Sequence, residues 1–202
     1  MVKNNLRISN GARQIILASV SPRRREMFKL FGVKFKAVDS KYEEILQKHL
    51  THEQQVVFLA VGKAKATAKK FPKAIIVSAD TMVLFGTKII GKPKNNKDAE
   101  KMLKSFSGKS QTLITGVAVL DAQSGQVLTH VEKSKIHFKK LTSSDIVEYI
   151  KKGKPLDKAG GYNLQGYGFN LIKKIEGDFT NNLGLPMGVV YNFLQQLGIK
   201  IN

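Results

Sequence analysis

The sequence predicts an α/β or α+β protein built around a mixed β-sheet. Short apolar runs rich in β-branched residues alternate along the chain with segments whose apolar residues recur at helical spacing. The chain has 202 residues, of which 42% are hydrophobic, and it shows no internal repeat or low-complexity segment. These features predict a single domain over residues 1–202, with a flexible N-terminal segment over residues 1–13.

The first elements are predicted from residues that typically begin or end a helix. Ser21 is a favoured N-cap, and Pro22 suits the first position of a helix. Gly32 supplies the stop. The predicted order is a strand over 15–19, a helix from 22 to about 31, a strand over 33–38, a helix over about 53–70 and a central strand over 74–79.

The later elements are predicted in the same way. A short hairpin is expected over 82–90 about Gly86, and a helix over 98–106 with Asn96 as its cap. A long hairpin is expected over 111–138, turning at Ser124 and Gly125. Ser143 or Ser144 is expected to cap a helix that reaches residue 151. The glycine-rich stretch 153–186 is either a flexible connection or backbone held close to a ligand, and a last helix spans about 186–197.

Composition limits the classes of function. The chain has 34 Lys and Arg against 15 Asp and Glu, a formal charge of +19. This charge is either a binding footprint for a polyanion or a lysine bias spread over a solvated surface. The lack of cysteine excludes disulfides, thiol nucleophiles and cysteine zinc sites. No apolar run approaches the roughly 20 residues of a membrane span, and the basic N-terminus lacks a secretory apolar region, so we expect a cytoplasmic protein without membrane contact.

Two polar segments follow predicted strands. The stretch 19–24 leads into a helix N-terminus, where free backbone N–H groups attract anions, and Arg23 and Arg24 add forked donors suited to phosphate. A capped surface helix with arginines facing water is the alternative. Asp80 is placed at the exit of the strand 74–79, where a carboxylate can hold a divalent cation or take a proton from water. A turn-forming aspartate is the alternative there.

Two further segments lie among glycines. Lys92, between Gly91 and Pro93, is a candidate phosphate contact, and Gln165 can read a base edge with one donor and one acceptor group. Loops that use glycine only for turning are the alternative. The segments together supply what a nucleoside triphosphate hydrolase needs: positive groups for the phosphates, acids for a metal and water, and an amide for the base. No complete P-loop, dinucleotide fingerprint or zincin motif is present.

Five segments, in order, resemble the Maf (septum formation) family of nucleoside triphosphate pyrophosphatases. They are "LASVSPRRREMFKLFG", "SADTMVLFGTKIIGKP", "SGKSQTLITGVAV", "PLDKAGGYNLQGYG" and "IEGDFTNNLGLP". The resemblance implies one Maf-like domain with an inosine-triphosphatase-like α/β fold, in which an elongated mixed sheet is flanked by helices and a cleft lies between two lobes. It also implies hydrolysis to the monophosphate and pyrophosphate with a divalent cation, Mg²⁺ or Mn²⁺.

The resemblance also assigns roles to residues. Asp80 matches the proton acceptor that activates water, and Asp80 with Glu44 matches the acids that hold the metal. The positions associated with base specificity are Arg23, Thr81 and Gln165, and the phosphate surroundings are Ser19, Ser21, Arg24, Lys63 and Lys92. Two departures remove acids: Lys41 and Gly62 stand where the family often has Asp or Glu. Whether Glu43 or Glu44 is the acid of the cleft therefore stays open.

The implied function is hydrolysis of dTTP and UTP, because Thr81 and Gln165 match the dTTP/UTP type rather than the type that prefers 7-methyl-GTP. Modified pyrimidine nucleotides are further candidate substrates. The alternatives are a nucleic-acid-binding or division-regulating protein on the same fold, and an inactive homologue. The expected partners are the nucleoside triphosphate and, as a candidate homodimer, a second copy of the chain. Nucleic acid is expected to bind only through non-specific electrostatics.

Overall fold

The computed structural model describes residues 13–164 and 166–201, whose backbone forms one seven-stranded mixed sheet. The strands are β1 (Ile15–Leu17), β2 (Phe35–Ala37), β3 (Ile75–Phe85), β4 (Lys88–Ile89), β5 (Ser110–Asp121), β6 (Val127–Phe138) and β7 (Ile172–Gly177). Their order is β2-β1-β3-β5-β6-β7, with β4 also paired to β3. The β1 strand runs parallel to β2 and β3, whereas the remaining pairs are antiparallel. The predicted mixed sheet is confirmed.

Within the described residues, five α-helices flank the sheet: α1 (Pro22–Lys29), α2 (His52–Ala68), α3 (Asn96–Phe106), α4 (Ser143–Gly153) and α5 (Met187–Gln196). Ser21 caps α1 as predicted, its hydroxyl accepting from the backbone N–H of Arg24. Two predicted caps are wrong. The cap of α3 is Asn95 rather than Asn96. The cap of α4 is Thr142 rather than either serine, because Thr142 forms a capping box with Asp145.

The strand β3 is longer than predicted. The sequence suggested that one strand ends at Ala79 and that a separate hairpin begins at Met82, but β3 is continuous over 11 residues. The reason is that β5 pairs with it from Ile75 to Leu84 without a break. Asp80 and Thr81 therefore lie inside a strand, and the prediction that Asp80 stands at a strand exit is wrong.

The sheet has a gap beside β3. On this edge, β1 pairs with β3 as far as Val77, and β4 pairs with it from Leu84 onward. The carbonyls of Val77 and Val83 accept bonds from the residues that follow β1 and β4, so odd-numbered residues of β3 direct their backbone groups to this edge. Ala79 and Thr81 lie between them, where none of the described strands pairs with β3 on this side. An open stretch of edge thus occurs in the middle of the fold.

One face of the sheet carries two separate cores. The first packs α1 and α5 on β1 and the start of β3, and it includes Ala79 and Val117. The second packs α3 and α4 on the far part of the sheet, and it includes Val83 and Leu113. Between them, Thr81 of β3 lies directly opposite Thr115 of β5. A polar pair of residues therefore separates two apolar lobes, in agreement with the expected cleft.

The glycine-rich stretch is more structured than its composition suggested. Outside position 165, which is not described, it contains the short 3₁₀ turns Pro155–Asp157, Ala159–Gly161 and Gly166–Leu171, and then β7, which the sequence did not predict. A further 3₁₀ turn, Thr180–Leu183, leads to α5. In the parts of the chain that the structure describes, none of the helices combines the length and apolar character needed to cross a bilayer.

Candidate active site

A cavity of about 220 Å³ lies between the two apolar lobes. Its lining brings together parts of the chain that are distant in sequence: the start of α1, the middle of β3, single residues of β5 and β6, and two turn-rich segments near the C-terminus. The lining residues include Ser21, Arg23, Arg24, Thr81, Val83, Leu113, Ile136, Lys158, Ala159, Tyr162, Asn163, Leu164, Asn182, Leu183 and Gly184. Predicted base-specificity residues Arg23 and Thr81 therefore face one space. Gln165 lies outside the described residues, although Leu164 before it lines the cavity.

A charged cluster lies on the other face of β3. Because side chains alternate along a strand, Asp80 leaves the sheet on the face opposite to Thr81 and meets Lys63 of α2. The Nζ atom of Lys63 donates to Asp80 Oδ1 at 2.6 Å and pairs with Glu44 Oε1 at 2.7 Å. The side chains of Lys63 and Asp80 are buried, whereas that of Glu44 is 54% exposed. Of the two candidate acids, Glu44 is the one that contacts Lys63.

A glycine explains how the lysine reaches the strand. Gly116 of β5 is the direct partner of Asp80 across the sheet. A Cβ atom at Gly116 would lie 2.4 Å from the backbone carbon and oxygen of Val56 in α2. The missing side chain therefore lets α2 rest on the sheet, and this close approach places the ammonium group of Lys63 at the carboxylate of Asp80.

The two departures from the family pattern have local structural partners. The ring of Tyr42 covers Gly62, and a Cβ atom there would lie 2.2 Å from the Cζ atom of that ring. Glycine at position 62 thus accommodates the aromatic residue on the facing loop. Lys41 is exposed, and its ammonium group pairs with Asp39 at 2.9 Å. Its positive charge is therefore directed to Asp39 rather than to the Lys63 cluster.

Arg24 points inward from α1 and contacts three protein oxygens. Its Nε donates to the carbonyl of Gly184 at 2.6 Å, Nη1 to the carbonyl of Ala79 at 2.8 Å and Nη2 to Oγ1 of Thr81 at 3.1 Å. Burial lowers the pKa of this guanidinium. Each nitrogen of the guanidinium is directed at a protein oxygen, because the open edge of β3 presents an oxygen that needs a donor. Arg24 therefore links α1, β3 and the turn before α5, and its contact with phosphate stays a prediction.

The other predicted phosphate residues surround the start of α1. Ser19 Oγ accepts from the backbone N–H of Ser21, so both serines help to order the turn that leads into the helix. Arg23 lines the cavity, and its side chain makes no hydrogen bond or ion pair with any residue that the structure describes. Lys92 is exposed, and the carbonyl of Gly91 before it accepts from the N–H of Gly160, which ties this segment to the turn beside the cavity.

Sequence reasoning missed four buried polar residues at this site, Thr115, Ser134, Asn181 and Asn182. Thr115, fully buried, has its Oγ1 atom 2.9 Å from Thr81 Oγ1. Asn181 donates to Ser134 Oγ, which in turn donates to Oδ1 of Asn182 on the cavity wall. The available signals were a threonine within the apolar run "TLITGVAV" and the pair of asparagines in "DFTNNLG". Neither signal shows which residues meet across the sheet.

The acids present fit a metal ion that arrives with a nucleotide. Asp80 and Glu44 both contact the ammonium group of Lys63, so the two carboxylates lie close together. Hard cations such as Mg²⁺ bind through one or two carboxylates while substrate phosphates and waters complete the shell. No group of three or more His, Cys, Asp or Glu among residues 13–164 and 166–201 could hold a metal by itself. The donor set therefore suits a substrate-bound cation rather than a site made by protein alone.

Known proteins resemble the chain over nearly its whole length. The Maf-like protein family model matches residues 14–197. The dTTP/UTP pyrophosphatase of Methanococcoides burtonii is 41% identical over 190 residues, which cover 94% of this chain and 97% of that protein. The enzyme of the same name from Caldicellulosiruptor saccharolyticus is 40% identical over 193 residues, with the same coverage of both chains. That from Geobacillus sp. strain WCH70 is 41% identical over 186 residues, covering 92% and 99%.

Among solved structures, the Staphylococcus aureus Ham1 protein matches with a TM-score of 0.51 and 16% sequence identity. The match covers 91% of this chain and 99% of that one. At this identity the likeness concerns the fold, and it confirms the predicted architecture of a mixed sheet flanked by helices.

Proposed function

The chain belongs to the Maf-like protein family, and from this premise we propose that it hydrolyses dTTP and UTP to the nucleoside monophosphate and pyrophosphate. One structural observation carries the proposal. The middle of β3 carries Asp80, paired with Lys63, next to Thr81, which lines a cavity bordered by the N-terminus of α1. Two adjacent residues of one strand thus place an acid and its paired cation next to a cavity that could take a nucleobase.

The positive groups at the cavity mouth are suited to the triphosphate. The N-terminus of α1 offers backbone N–H groups and the positive end of the helix dipole. Arg23 adds a guanidinium that is not engaged by the described residues, and Lys92 adds an exposed ammonium group. In this proposal Arg24 orders the site from inside rather than contacting phosphate directly.

Asp80 is the proposed general base. Its Oδ1 atom accepts from the ammonium of Lys63, which orients the carboxylate, and Oδ2 remains to take the proton of an attacking water. The water attacks the α-phosphorus, the bond between the α-phosphorus and the bridging oxygen breaks, and pyrophosphate leaves. A divalent cation held by Asp80 and Glu44 would neutralise charge on the phosphate oxygens. Lys63 supplies positive charge at these two acids, and Arg23 supplies it at the cavity on the other face of β3.

The variant Asp80→Asn tests this assignment. It keeps the size of the side chain and removes the base, so pyrophosphate release from dTTP and UTP should fall by about 10²–10⁴-fold. Asp39→Asn serves as the matched control, because Asp39 is an exposed acid that pairs with Lys41. The assay separates pyrophosphate from orthophosphate over dTTP, UTP, CTP and modified pyrimidine nucleotides, with Mg²⁺ and Mn²⁺. Near wild-type release by Asp80→Asn would overturn the role of Asp80.

The other functions considered lack comparable support. The named relatives are pyrophosphatases, and no observation favours a nucleic-acid-binding or division-regulating role. An inactive homologue is disfavoured, since Asp80, Lys63 and Lys92 are all present. We further propose a cytoplasmic location. We also propose a homodimer, and gel filtration with light scattering would test this oligomeric state.

A further inference from the structure

The hydroxyl group of Thr81 has two protein neighbours. Its Oγ1 atom accepts from Nη2 of Arg24 at 3.1 Å, and it lies 2.9 Å from Oγ1 of Thr115. Arginine nitrogens can only donate, so the direction of the first bond is fixed. The direction of the second bond decides where the hydrogen of Thr81 points, because a hydroxyl has one hydrogen and two lone pairs.

The burial of Thr115 fixes that direction. Thr115 is 0% exposed, so its hydroxyl hydrogen has no solvent to bond. Among the residues that the structure describes, Oγ1 of Thr81 is its one hydrogen-bond partner. A buried donor without an acceptor is costly, so Thr115 donates and Thr81 accepts. Both lone pairs of Thr81 Oγ1 are then occupied, one by Arg24 and one by Thr115.

The hydrogen atom of the Thr81 hydroxyl still needs an acceptor. Thr81 lines the cavity and is partly exposed, and no described residue other than Thr115 lies within hydrogen-bond distance to accept from it. We infer that the Arg24–Thr81–Thr115 triad forces Thr81 to act as a hydrogen-bond donor into the cavity, so that the site selects a base that presents a carbonyl oxygen there. This inference rests on the proposed function, and it makes Thr115 and Arg24 positioning residues for base selection.

The chemistry of the pyrimidines agrees with a fixed donor. Uracil and thymine carry carbonyl acceptors at O2 and O4, whereas cytosine has an amino donor at position 4 and keeps O2. A free threonine hydroxyl can donate or accept, and it would discriminate poorly between a carbonyl and an amino group. A hydroxyl whose lone pairs are both occupied repels an amino group and bonds a carbonyl.

The location of the triad strengthens this assignment. Thr81 and Thr115 form the one cross-strand pair of β3 and β5 that lies between the two apolar lobes. Both neighbouring pairs on this face, Ala79 with Val117 and Val83 with Leu113, are apolar. Two hydroxyls at this position therefore do not continue a polar face. They form an isolated polar contact at the wall of the cavity.

The first experiment replaces carbonyl oxygens of the substrate by sulfur, a weaker acceptor. The ratio kcat/KM is measured for UTP, 2-thio-UTP and 4-thio-UTP with the wild type and with the variants Thr81→Val and Thr81→Ser. We expect one thio analogue to be disfavoured about tenfold by the wild type and Thr81→Ser, and not by Thr81→Val. A penalty at 4-thio-UTP assigns the contact to O4 and predicts poor use of CTP. A penalty at 2-thio-UTP assigns it to O2. Equal use of all three nucleotides by the wild type would overturn the inference.

The second experiment tests the positioning role of Thr115. Thr115→Val keeps the volume of the side chain and removes the donor, so the Thr81 hydroxyl regains rotational freedom. We expect a several-fold higher KM for UTP with kcat within about twofold, and recovery of KM in Thr115→Ser. A merely structural role would lower the amount of folded enzyme without changing KM. An unchanged KM in folded Thr115→Val would contradict the positioning role.

Neutron diffraction of the perdeuterated protein shows directly which hydroxyl donates in the hydrogen bond between Thr81 and Thr115. The deuterium of Thr115 should point at Thr81 Oγ1, and that of Thr81 should point into the cavity. A Thr81 deuterium directed at Thr115 would overturn the inference irrespective of activity. Conversely, if calorimetry shows that UTP binds with a lower Kd than one thio analogue, and only when Thr81 carries its hydroxyl, but no pyrophosphate is released, the proposed function fails while the inference about Thr81 stands.

Discussion

The ammonium nitrogen of Lys63 lies 2.6 Å from Oδ1 of Asp80, and both side chains are about nine-tenths buried. The contact joins a helix to the central strand, across a separation of 17 residues. A buried carboxylate whose cation is removed has to lose its charge or recruit water. The pair therefore contributes to the stability of the fold as well as to the proposed chemistry, and the two contributions can be separated experimentally.

We predict that Lys63→Met destabilises the protein by about 3–5 kcal/mol, because it leaves Asp80 as an uncompensated buried charge. Adding Asp80→Asn to Lys63→Met should recover much of that loss, since the double variant has no charge to compensate. Urea unfolding of the two single variants and the double variant at pH 7 measures the coupling. Lys65→Met is the matched control, an exposed lysine on the same helix. Additive losses in the double variant would show that the pair is not coupled.

Gly116→Ala should affect stability and activity together. The new Cβ atom would lie 2.4 Å from the backbone of Val56, so α2 has to move away from the sheet and carry Lys63 with it. We expect a loss of about 1–3 kcal/mol in urea unfolding and a lower kcat in the pyrophosphate assay. Gly188→Ala in α5 is the control, because a Cβ atom there meets nothing within 4 Å. A fully active and stable Gly116→Ala would refute the close-approach explanation.

Gln111→Met should stabilise the fold. Gln111 is 1% exposed, and within the described part of the chain neither atom of its amide group has a hydrogen-bond partner. Replacing an unpaired buried amide by an apolar side chain of similar volume removes its desolvation cost, a gain of about 1 kcal/mol. Thermal and urea unfolding measure the gain, with Gln196→Met on the exposed face of α5 as control. Destabilisation would indicate that an internal water satisfies the amide.

The pair of Arg13 and Asp121 predicts a pH dependence. Hydrogen bonds from the guanidinium of Arg13 hold the pKa of the Asp121 carboxyl well below its ordinary value of about 3.9. A lowered pKa in the folded state means that this stabilisation is complete above the unfolded pKa and declines as the pH falls below it. The stability difference between wild type and Asp121→Asn should thus be constant from pH 7 to about pH 5 and should shrink below about pH 4. A difference that grows on acidification would contradict this account.

Local signals in the sequence were sufficient to predict those helices and strands that begin and end at clear turn or cap residues. Ser21 and Pro22 predicted the start of α1, and the turn at Ser124 and Gly125 predicted the hairpin of β5 and β6. The continuity of β3 was not predictable, because Asp80 and Thr81 read as a strand end. Their partners on α2, α1 and β5, which make a polar pair acceptable within a strand, are visible only in three dimensions.

The sequence likewise does not show in which direction each of the three consecutive arginines of α1 points. Successive residues of a helix point about 100° apart, so Arg23, Arg24 and Arg25 leave α1 in different directions. Arg23 faces the cavity, Arg24 turns inward to β3, and Arg25 lies exposed and donates to the carbonyl of Val20. The sequence identified a basic helix start as part of the site. It did not show which arginine orders the site and which is available to a ligand.

The gap in the sheet between β1 and β4 has a consequence for how this fold can change. Extending β1 by a few residues would complete the pairing of β3 and fill the space that the nucleotide is proposed to enter. The same change that makes the sheet more regular would therefore abolish access to Asp80 and Thr81. Selection for stability and selection for turnover oppose each other along this one edge, and the incomplete pairing of a central strand is what the protein has to preserve to remain an enzyme.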